Sequence, residues 1–196
     1  MKFIFLGDVH ANINHCLKLS EANTDATIVQ VGDLGVGFIP LDVFYRLPMN
    51  FKFFPGNHDC RKMCYLLPHC LGAYGEAFDK FFFVSGADSI DKNQRIENVS
   101  WWADEELSYK EAEDCLAKWE ASKLDVLVSH DMPQSFAEGY KMIYDSSLTR
   151  NLLQSMVHAR KPSLIITGHH HRSGYRIHDK IRWKELQIDE SFEIDI

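Results

Sequence analysis

The stretch FIFLGDVH, at residues 3–10, decides the fold, because it joins a short apolar run to a glycine and then to an aspartate and a histidine. Apolar runs of this length, rich in branched and aromatic residues, are typical of buried strands. The same order recurs in IVQVGD at 28–33, FFPGNHD at 53–59, VLVSH at 126–130 and IITGHHH at 165–171. In five places, therefore, a predicted strand ends in a small residue and then in a side chain that can bind a metal.

The rest of the chain alternates between predicted strands and helices. The apolar runs predicted as strands are Lys2–Leu6, Ala26–Val31, Phe51–Phe54, Phe81–Val84, Leu124–Val128 and Ser163–Thr167. The helix-like stretches are Asn12–Ala22, Pro40–Arg46, Tyr109–Ser122 and Ser146–Arg160. This alternation favours an α/β domain. From Tyr175 onward, short near-alternating segments indicate terminal β structure, which we expect to be antiparallel, whereas residues 71–107 show the weakest pattern.

Length and charge limit the possible classes of protein. The 196 residues are 45% hydrophobic, which excludes disordered and fibrous chains, and no linker or repeat divides them, so we predict one domain over residues 1–196. The 28 acidic residues exceed the 21 basic ones, giving a formal charge of −7. Because no Lys/Arg cluster is present, long nucleic acid is not favoured as a partner.

Targeting features point to the cytoplasm. The apolar run at residues 3–6 is too short for a signal sequence or a membrane span, so no membrane association is expected. The five cysteines are an odd number without secretory context, which favours free thiols in a reducing compartment. A structural zinc site at His58, Cys60, Cys64, His69 and Cys70 is an alternative, but this spacing matches no established zinc finger, and a helix carrying ordinary thiols is the preferred interpretation.

The five strand ends are expected to converge, because the carboxyl ends of strands in open α/β sheets face one crevice. An extended segment would put His169 and His171 on one side and His170 on the other. The candidate metal donors are Asp8, His10, Asp33, Asn57, His130, His169 and His171. They are too many for one tetrahedral zinc ion and fit two metals that share a bridging carboxylate.

The order of these motifs, D-x-H, G-D, G-N-H-D, a lone H and G-H-x-H, resembles that of the calcineurin-like metallophosphoesterase superfamily, and the match spans Gly7 to His171. The resemblance implies a four-layer αββα sandwich, in which two mixed β-sheets are flanked by helices. It further implies that one metal is held by Asp8, His10 and His171, that the other is held by Asn57, His130 and His169, and that Asp33 bridges them.

The same resemblance implies the chemistry. Two divalent ions, of Mn, Fe, Zn, Ni or Co, would clamp the phosphate while a bridging hydroxide attacks phosphorus in line. His58 would stand near the leaving oxygen, as a general acid or as a stabiliser of charge in the transition state.

The second motif departs from part of the superfamily. Protein phosphatases and dinucleotide tetraphosphate hydrolases have G-D-x-x-D-R-G where this chain has GDLGVG at 32–37. Val36 replaces an aspartate that would orient the catalytic histidine, and Gly37 replaces an arginine that would bind phosphate. The chain is more similar to the small bacterial or phage phosphodiesterases. We expect Asp59 to orient His58 instead, and Arg95 is the candidate contact to the substrate.

The predicted function is hydrolysis of phosphate esters, with phosphodiesters preferred, on a small substrate for which a nucleotide is one candidate. The alternatives are a phosphomonoesterase acting on nucleotides or phosphoproteins and a non-catalytic interaction scaffold with the same fold. A nuclease is allowed chemically, but the basic surface of a tight nucleic-acid binder is missing. The native metals and the oligomeric state are not predicted.

Overall fold

The structure, a computed structural model, describes residues 1–72, 74–138 and 147–195. Its strands are β1 (Lys2–Leu6), β2 (Thr27–Gln30), β3 (Phe51–Phe53), β4 (Gly75–Phe78), β5 (Phe81–Val84), β6 (Val126–Ser129), β7 (Leu164–Thr167), β8 (Gly174–His178), β9 (Ile181–Glu185) and β10 (Ser191–Asp195). Its α-helices are α1 (Ile13–Ala22), α2 (Arg61–Cys64), α3 (Tyr109–Ala121), α4 (Gln134–Glu138) and α5 (Leu148–Ala159), and 3₁₀ helices cover Leu41–Arg46 and Lys92–Gln94.

The strands form two mixed sheets. The four-stranded sheet has the order β10-β1-β2-β3, in which β1, β2 and β3 are parallel and β10 is antiparallel to β1. The six-stranded sheet has the order β4-β5-β6-β7-β9-β8, with β4 and β8 antiparallel at its two edges. The antiparallel pairing expected after Tyr175 holds for β8 and β10, but β9 pairs in parallel with β7.

Three apolar clusters stack these sheets into four layers. The central cluster joins the inner faces of both sheets and includes Phe3, Phe5, Phe81 and Phe83. The outer face of the four-stranded sheet packs on α1 and the first 3₁₀ helix, and the outer face of the six-stranded sheet packs on α3 and α5. The predicted fold class, an α/β four-layer sandwich of two mixed sheets flanked by helices, is therefore confirmed.

Helix α3 shows how local sequence positions a whole layer. Ser108 accepts a hydrogen bond from the Glu111 backbone amide, and the Glu111 side chain accepts one from the Ser108 amide, which forms a capping box. The buried face of α3 carries Trp119, whose Nε1 donates to the Met156 carbonyl of α5 at 2.8 Å. The two helices are thereby fixed to each other as well as to the sheet.

Two local predictions need correction. The predicted helix at Pro40–Arg46 is a 3₁₀ helix over Leu41–Arg46. Strand β4 is absent from the predicted strands, because its sequence Gly-Glu-Ala-Phe contains no apolar run. It lies at a sheet edge, where its middle residues are exposed.

Within the described residues, none of the helices has the length and apolar character that a membrane span requires.

The carboxyl ends of strands from both sheets meet at one edge of the sandwich. The His169 amide, after β7, donates to Asp8 Oδ1, after β1, at 3.0 Å. The Gly168 amide donates to the carbonyl of His130, which follows β6. The first bond links the two sheets, and the second joins two neighbouring strand ends of the six-stranded sheet, where the polar side chains converge.

Candidate metal centre

The first group of donors lies where β1 and β7 end. His10 Nε2 is 3.0 Å from His171 Nε2, and His171 Nε2 is 3.1 Å from Asp8 Oδ2. Together with Asp33, these side chains offer ligand atoms that all lie within 4.8 Å of one another. Asp8 and Asp33 are buried, whereas the two histidines are exposed. The group is therefore open to solvent on its histidine side.

The second group lies deeper, between the two sheets. His130 Nε2 is 2.9 Å from Asn57 Oδ1 and 3.2 Å from Asp33 Oδ1, and His130 is fully buried. The His169 ring centroid lies 5.0 Å from that of His130. Asp33, His130 and His169 form a second set that could hold a metal ion, so Asp33 belongs to both sets.

The Asp33 carboxylate has one committed oxygen and one that is uncommitted. Its Oδ1 accepts a hydrogen bond from the His58 backbone amide at 2.8 Å. Its Oδ2 is buried and has no hydrogen-bond partner within the described part of the chain. A buried carboxylate oxygen without a partner is costly unless a cation compensates it. This oxygen is what a bridging carboxylate would offer a metal.

The separations between donors also suit divalent ions. Two ligands that lie about 2.1 Å from one ion, at right angles to each other, are about 3.0 Å apart. The donor pairs His10–His171 and His130–Asn57 have separations of 3.0 and 2.9 Å. Oxygen and imidazole donors without thiolate suit borderline first-row metals. The residues present therefore fit a pair of divalent ions.

Glycines at the strand ends let the backbone segments approach. A Cβ atom on Gly56 would overlap the Asp33 side chain, and one on Gly168 would overlap Asp8 Oδ1. The donors themselves are in strained conformations, because Asp33, His169 and His171 have φ values of 61°, 67° and 52°. Such left-handed conformations of non-glycine residues cluster at functional sites.

The extended geometry expected for His169 and His171 is therefore wrong. The chain turns sharply after Gly168, so the two side chains do not share one side: His169 faces His130, and His171 faces Asp8 and His10. His170 contacts Asp131, with its Nε2 3.0 Å from Asp131 Oδ1, and it also lines the cleft over the donors. Asp131, His169 and His170 form a third set of side chains that could hold a metal.

The buried donors His130 and Asp33 each shift the pKa of the other. Burial alone would lower the pKa of His130, but the neighbouring Asp33 and Asp8 carboxylates raise it to about 10. Burial likewise opposes ionisation of Asp33, but His130 holds the pKa of that carboxyl far below its usual range. Metal binding would have to displace the His130 proton, since an imidazole ligates in its neutral form.

His58 lies beside this centre and is held by Arg95. The Arg95 Nη1 and Nη2 atoms lie 2.7 and 2.9 Å from the Nδ1 and Nε2 atoms of His58. Asp91 pairs with the other edge of the guanidinium, at 2.8 Å from Nε. Burial lowers the pKa of His58, and Arg95 lowers it further against the opposing effect of Asp33. Arg95 therefore lies at the centre, in contact with the candidate catalytic residue.

The expectation that Asp59 orients His58 is wrong. The buried Asp59 carboxylate accepts hydrogen bonds from four backbone amides, those of Leu34, Gly35, Val36 and Gly56. Both oxygens thus accept hydrogen bonds that join the turns after β2 and β3. Asp59 shapes the backbone on which Asp33 and Asn57 stand, and Arg95 is the side chain that contacts the His58 ring.

Four further residues lie around the centre, and no sequence spacing indicated their contacts. Arg150 of α5 donates through Nε to Asp131 Oδ2 at 2.9 Å, and Asp131 also contacts His170. Asn57 Nδ2 donates to Ser89 Oγ at 2.8 Å, and Ser89 in turn donates to Glu105. Asp131 follows a predicted donor directly, which was the one available signal; Ser89 and Glu105 come from the poorly patterned segment. The stretch 136–144 resembles a loop that borders the active site in this superfamily, and its residues 139–144 lie outside the described part of the chain.

The alternative zinc site finds no support in the described residues, where the sets of side chains that could hold a metal contain aspartates and histidines but no cysteine. All five cysteines are free thiols, as predicted.

A cleft of about 290 Å³ opens over the candidate centre. Its lining includes Asp33, Asn57, His58, Arg95, Arg150 and the three histidines 169–171, together with Ile90, whose side chain is 88% exposed. The Phe38 ring lies 6.2 Å from that of His58 and is supported edge-on by Trp102. The cleft lining is thus polar apart from Ile90, and Phe38 lies beside His58 next to the cleft.

Comparison with known proteins identifies a family and several similar solved structures. The family model described as calcineurin-like phosphoesterase matches residues 1–173. A solved structure described as GAP50, the anchor in the inner membrane complex of Plasmodium, aligns with a TM-score of 0.54 at 13% identity, covering 95% of this chain and 71% of that chain. A phosphopantetheinyl hydrolase from Mycobacterium tuberculosis aligns with a TM-score of 0.43 at 15% identity, covering 96% and 90%. No curated protein matches the sequence.

Proposed function

The chain belongs to the calcineurin-like phosphoesterase family, and on that premise we propose that it hydrolyses phosphodiesters at a centre of two divalent metal ions. The family and the clustered aspartates and histidines support a metal-dependent phosphoesterase in general. The observation that carries the two-metal proposal is Asp33. It belongs to both donor sets, and its buried Oδ2 has no partner in the described part of the chain.

In this proposal the seven donors divide into two sets around Asp33. Asp8, His10 and His171 would hold the more exposed ion, while Asn57, His130 and His169 would hold the buried one. When bound, the ions would activate the attacking water and neutralise charge on the phosphoryl oxygens. The hydrogen bond from the His58 amide to Asp33 Oδ1 leaves Oδ2 for the metals and fixes the orientation of the carboxylate.

His58 and Arg95 form the proposed group that acts on the leaving oxygen. His58 is half-buried and lines the cleft, with its ring centroid 5.3 Å from that of the donor His10. The Arg95 guanidinium contacts the ring and would present its N–H groups beside the position where negative charge develops, although Asp91 offsets its net charge. To donate a hydrogen bond or a proton to the departing oxygen, His58 would have to turn one ring nitrogen away from Arg95 and towards the substrate.

The charge of the cleft supports the preference for diesters over monoesters. Arg95 is paired with Asp91, and Arg150 is paired with Asp131, so neither guanidinium adds a net positive charge. A monoester dianion needs more compensating charge than a diester monoanion does. The exposed apolar side chains of Phe38 and Ile90 offer a surface for the second ester substituent. A small diester, with a nucleotide as one candidate, fits this cleft.

The interaction-scaffold alternative has less support. One similar structure is described as an anchor, but a likeness at 13% identity concerns the fold alone. A scaffold has no need for the buried, unpartnered oxygen on Asp33. A cytoplasmic location also stands as a proposal, resting on the five free cysteines. The absence of a membrane partner rests on the short apolar run at residues 3–6, and that of long nucleic-acid partners on the acidic composition.

The test is hydrolysis of bis-nitrophenyl phosphate against nitrophenyl phosphate by metal-stripped protein before and after Mn²⁺ is restored. We expect activity to return with Mn²⁺, to favour the diester, and to fall by about 10²-fold or more in His58→Ala. His158→Ala, on the exposed side of α5, is the matched control and should retain activity. Equal or higher turnover of the monoester would overturn the diester preference. Failure of every divalent ion to restore turnover would favour the scaffold.

A further inference from the structure

A buried hydrogen-bonded chain links Asn57 to a carboxylate outside the donor set. Asn57 Nδ2 donates to Ser89 Oγ at 2.8 Å, and Ser89 Oγ donates to Glu105 Oε2 at 2.5 Å. The Ser89 amide donates to the other oxygen, Glu105 Oε1, at 2.9 Å. All three residues are buried, with exposures of 2%, 2% and 3%. These hydrogen bonds are therefore shielded from water, which could otherwise replace any of the three side chains as a partner.

We infer that Glu105, acting through Ser89, fixes which way round the Asn57 amide sits, so that its oxygen rather than its nitrogen faces the buried metal. Glu105 and Ser89 are thus positioning residues. The inference rests on the proposed function, because it assigns them their role at the second metal of that centre.

The direction of each hydrogen bond determines the orientation of the Asn57 amide. A carboxylate only accepts, and a serine hydroxyl has a single proton to donate. Because Glu105 takes that proton, Ser89 Oγ can present only a lone pair to Asn57. Only the NH₂ group of the amide can satisfy a lone pair, so Nδ2 must face Ser89 and Oδ1 must face the other way.

The fixed orientation matters because the two ends of an asparagine amide have nearly the same size and shape. Packing alone therefore discriminates poorly between the two orientations, whereas hydrogen bonding does. With Nδ2 on Ser89, Oδ1 lies 2.9 Å from His130 Nε2, among the donors. A reversed amide would direct two N–H groups at the cation and remove one ligand.

The same segment of chain also contacts the next residue of the motif. Ser89, Arg95 and Glu105 all lie between β5 and α3, and Arg95 contacts the ring of His58. The Gly86 amide donates to the Pro55 carbonyl at 2.9 Å, which ties the start of the segment to the turn that carries Asn57. Residues 85–107, here called the orienting segment, thus contact the side chains of both the proposed ligand Asn57 and its neighbour His58.

The test is titration of Mn²⁺ into metal-stripped protein, followed by calorimetry, for wild type and Glu105→Gln. A glutamine can donate to Ser89, which frees the serine proton for Asn57 and favours the reversed amide. We expect the second Mn²⁺ equivalent to bind about 10-fold or more weakly, with the first little changed. Glu97→Gln, at an exposed position of the same segment, is the matched control and should change neither affinity by more than about twofold.

A double-mutant comparison separates orientation from general damage. An aspartate at position 57 presents an oxygen in either orientation, so Glu105→Gln should have almost no effect on the second Mn²⁺ affinity in an Asn57→Asp background. If the substitution only loosened the segment, the same loss would appear in both backgrounds, which would overturn the inference. An unchanged affinity in the wild-type background would overturn it too.

Two further variants keep the test valid if Glu105→Gln does not fold. Ser89→Ala removes the acceptor for Asn57 and should weaken the second equivalent, while Ser89→Thr keeps the hydroxyl and should retain its affinity. Equal affinities for these two variants would contradict the inference. Failure of the proposed function is distinguishable, since wild-type protein itself would then bind fewer than two Mn²⁺ ions.

Discussion

The strand ends and the orienting segment both line the candidate centre, but they are built differently. The strand ends are held by sheet hydrogen bonds, and their donors stand on turns where glycines allow close approach. The orienting segment has one short 3₁₀ helix and reaches the centre through side chains, with Arg95 on His58 and Ser89 on Asn57. One region supplies the metal donors, and the other controls how the donors and the catalytic group are oriented. Substitutions in the two regions should therefore fail in different ways.

The largest effect is expected for Asp33→Asn, at a strand end. Replacing the shared carboxylate removes an anionic ligand from both metal sites, so we expect the protein to bind fewer than two Mn²⁺ ions. Turnover of bis-nitrophenyl phosphate should fall by about 10³-fold. Metal analysis after gel filtration, together with rates at saturating Mn²⁺, measures both quantities. Asp179→Asn, at an exposed hairpin turn, is the control. Full metal content with full activity would show that Asp33 is not a ligand shared by the two metals.

Asp59→Asn should act on stability rather than on chemistry. An asparagine keeps one acceptor but points an NH₂ group at two of the four backbone amides that Asp59 now satisfies. Leaving buried donors unpaired should lower the free energy of unfolding by about 3 kcal/mol. Urea unfolding of metal-stripped protein measures this, with the exposed Asp25→Asn as the control. A loss below about 1 kcal/mol would mean that the turns after β2 and β3 do not depend on this carboxylate.

Arg95→Ala tests the orienting segment, and we expect it to lower activity without lowering the amount of bound metal. The guanidinium contacts His58 and no proposed donor among the described residues, so two Mn²⁺ ions should still bind. Turnover of the diester should fall by about 10- to 100-fold. Arg95→Lys should recover only part of this, because an ammonium lacks the planar fork that spans His58 and Asp91. A loss of bound metal in Arg95→Ala would erase the distinction between the two regions.

The smallest effect is expected in the first turn of α3, just after the orienting segment, where Glu111 caps the helix and pairs with Arg61 at 3.0 Å. Burial opposes ionisation, but the Ser108 amide and Arg61 lower the pKa of Glu111. A lowered folded-state pKa stabilises the protein above the unfolded pKa of about 4.3, and the gain is lost as the pH falls. Glu111→Gln should cost about 1 kcal/mol at pH 7. The difference from wild type should shrink below about pH 4, and a constant difference would exclude the ionised form as its source.

The two regions also differ in how far the sequence predicted them. The apolar runs and the residues directly after them form a local pattern, and the structure brings the seven predicted donors together in two adjoining groups. Ser89 and Glu105 act across 32 and 16 positions of sequence, through turns without periodicity, so no spacing indicated their contacts. Asp59 was assigned to the wrong partner for a similar reason. Its neighbour in sequence is His58, but its carboxylate turns away to backbone amides of the preceding loop.

The most direct test of the two-metal account is a Mn²⁺ titration of metal-stripped wild-type protein, followed by electron paramagnetic resonance and diester hydrolysis in the same samples. If the centre holds two metals, we expect two bound equivalents, the spectrum of an exchange-coupled manganese pair, and activity that appears with the second equivalent. A single bound equivalent, or full activity with the spectrum of an isolated ion, would contradict it.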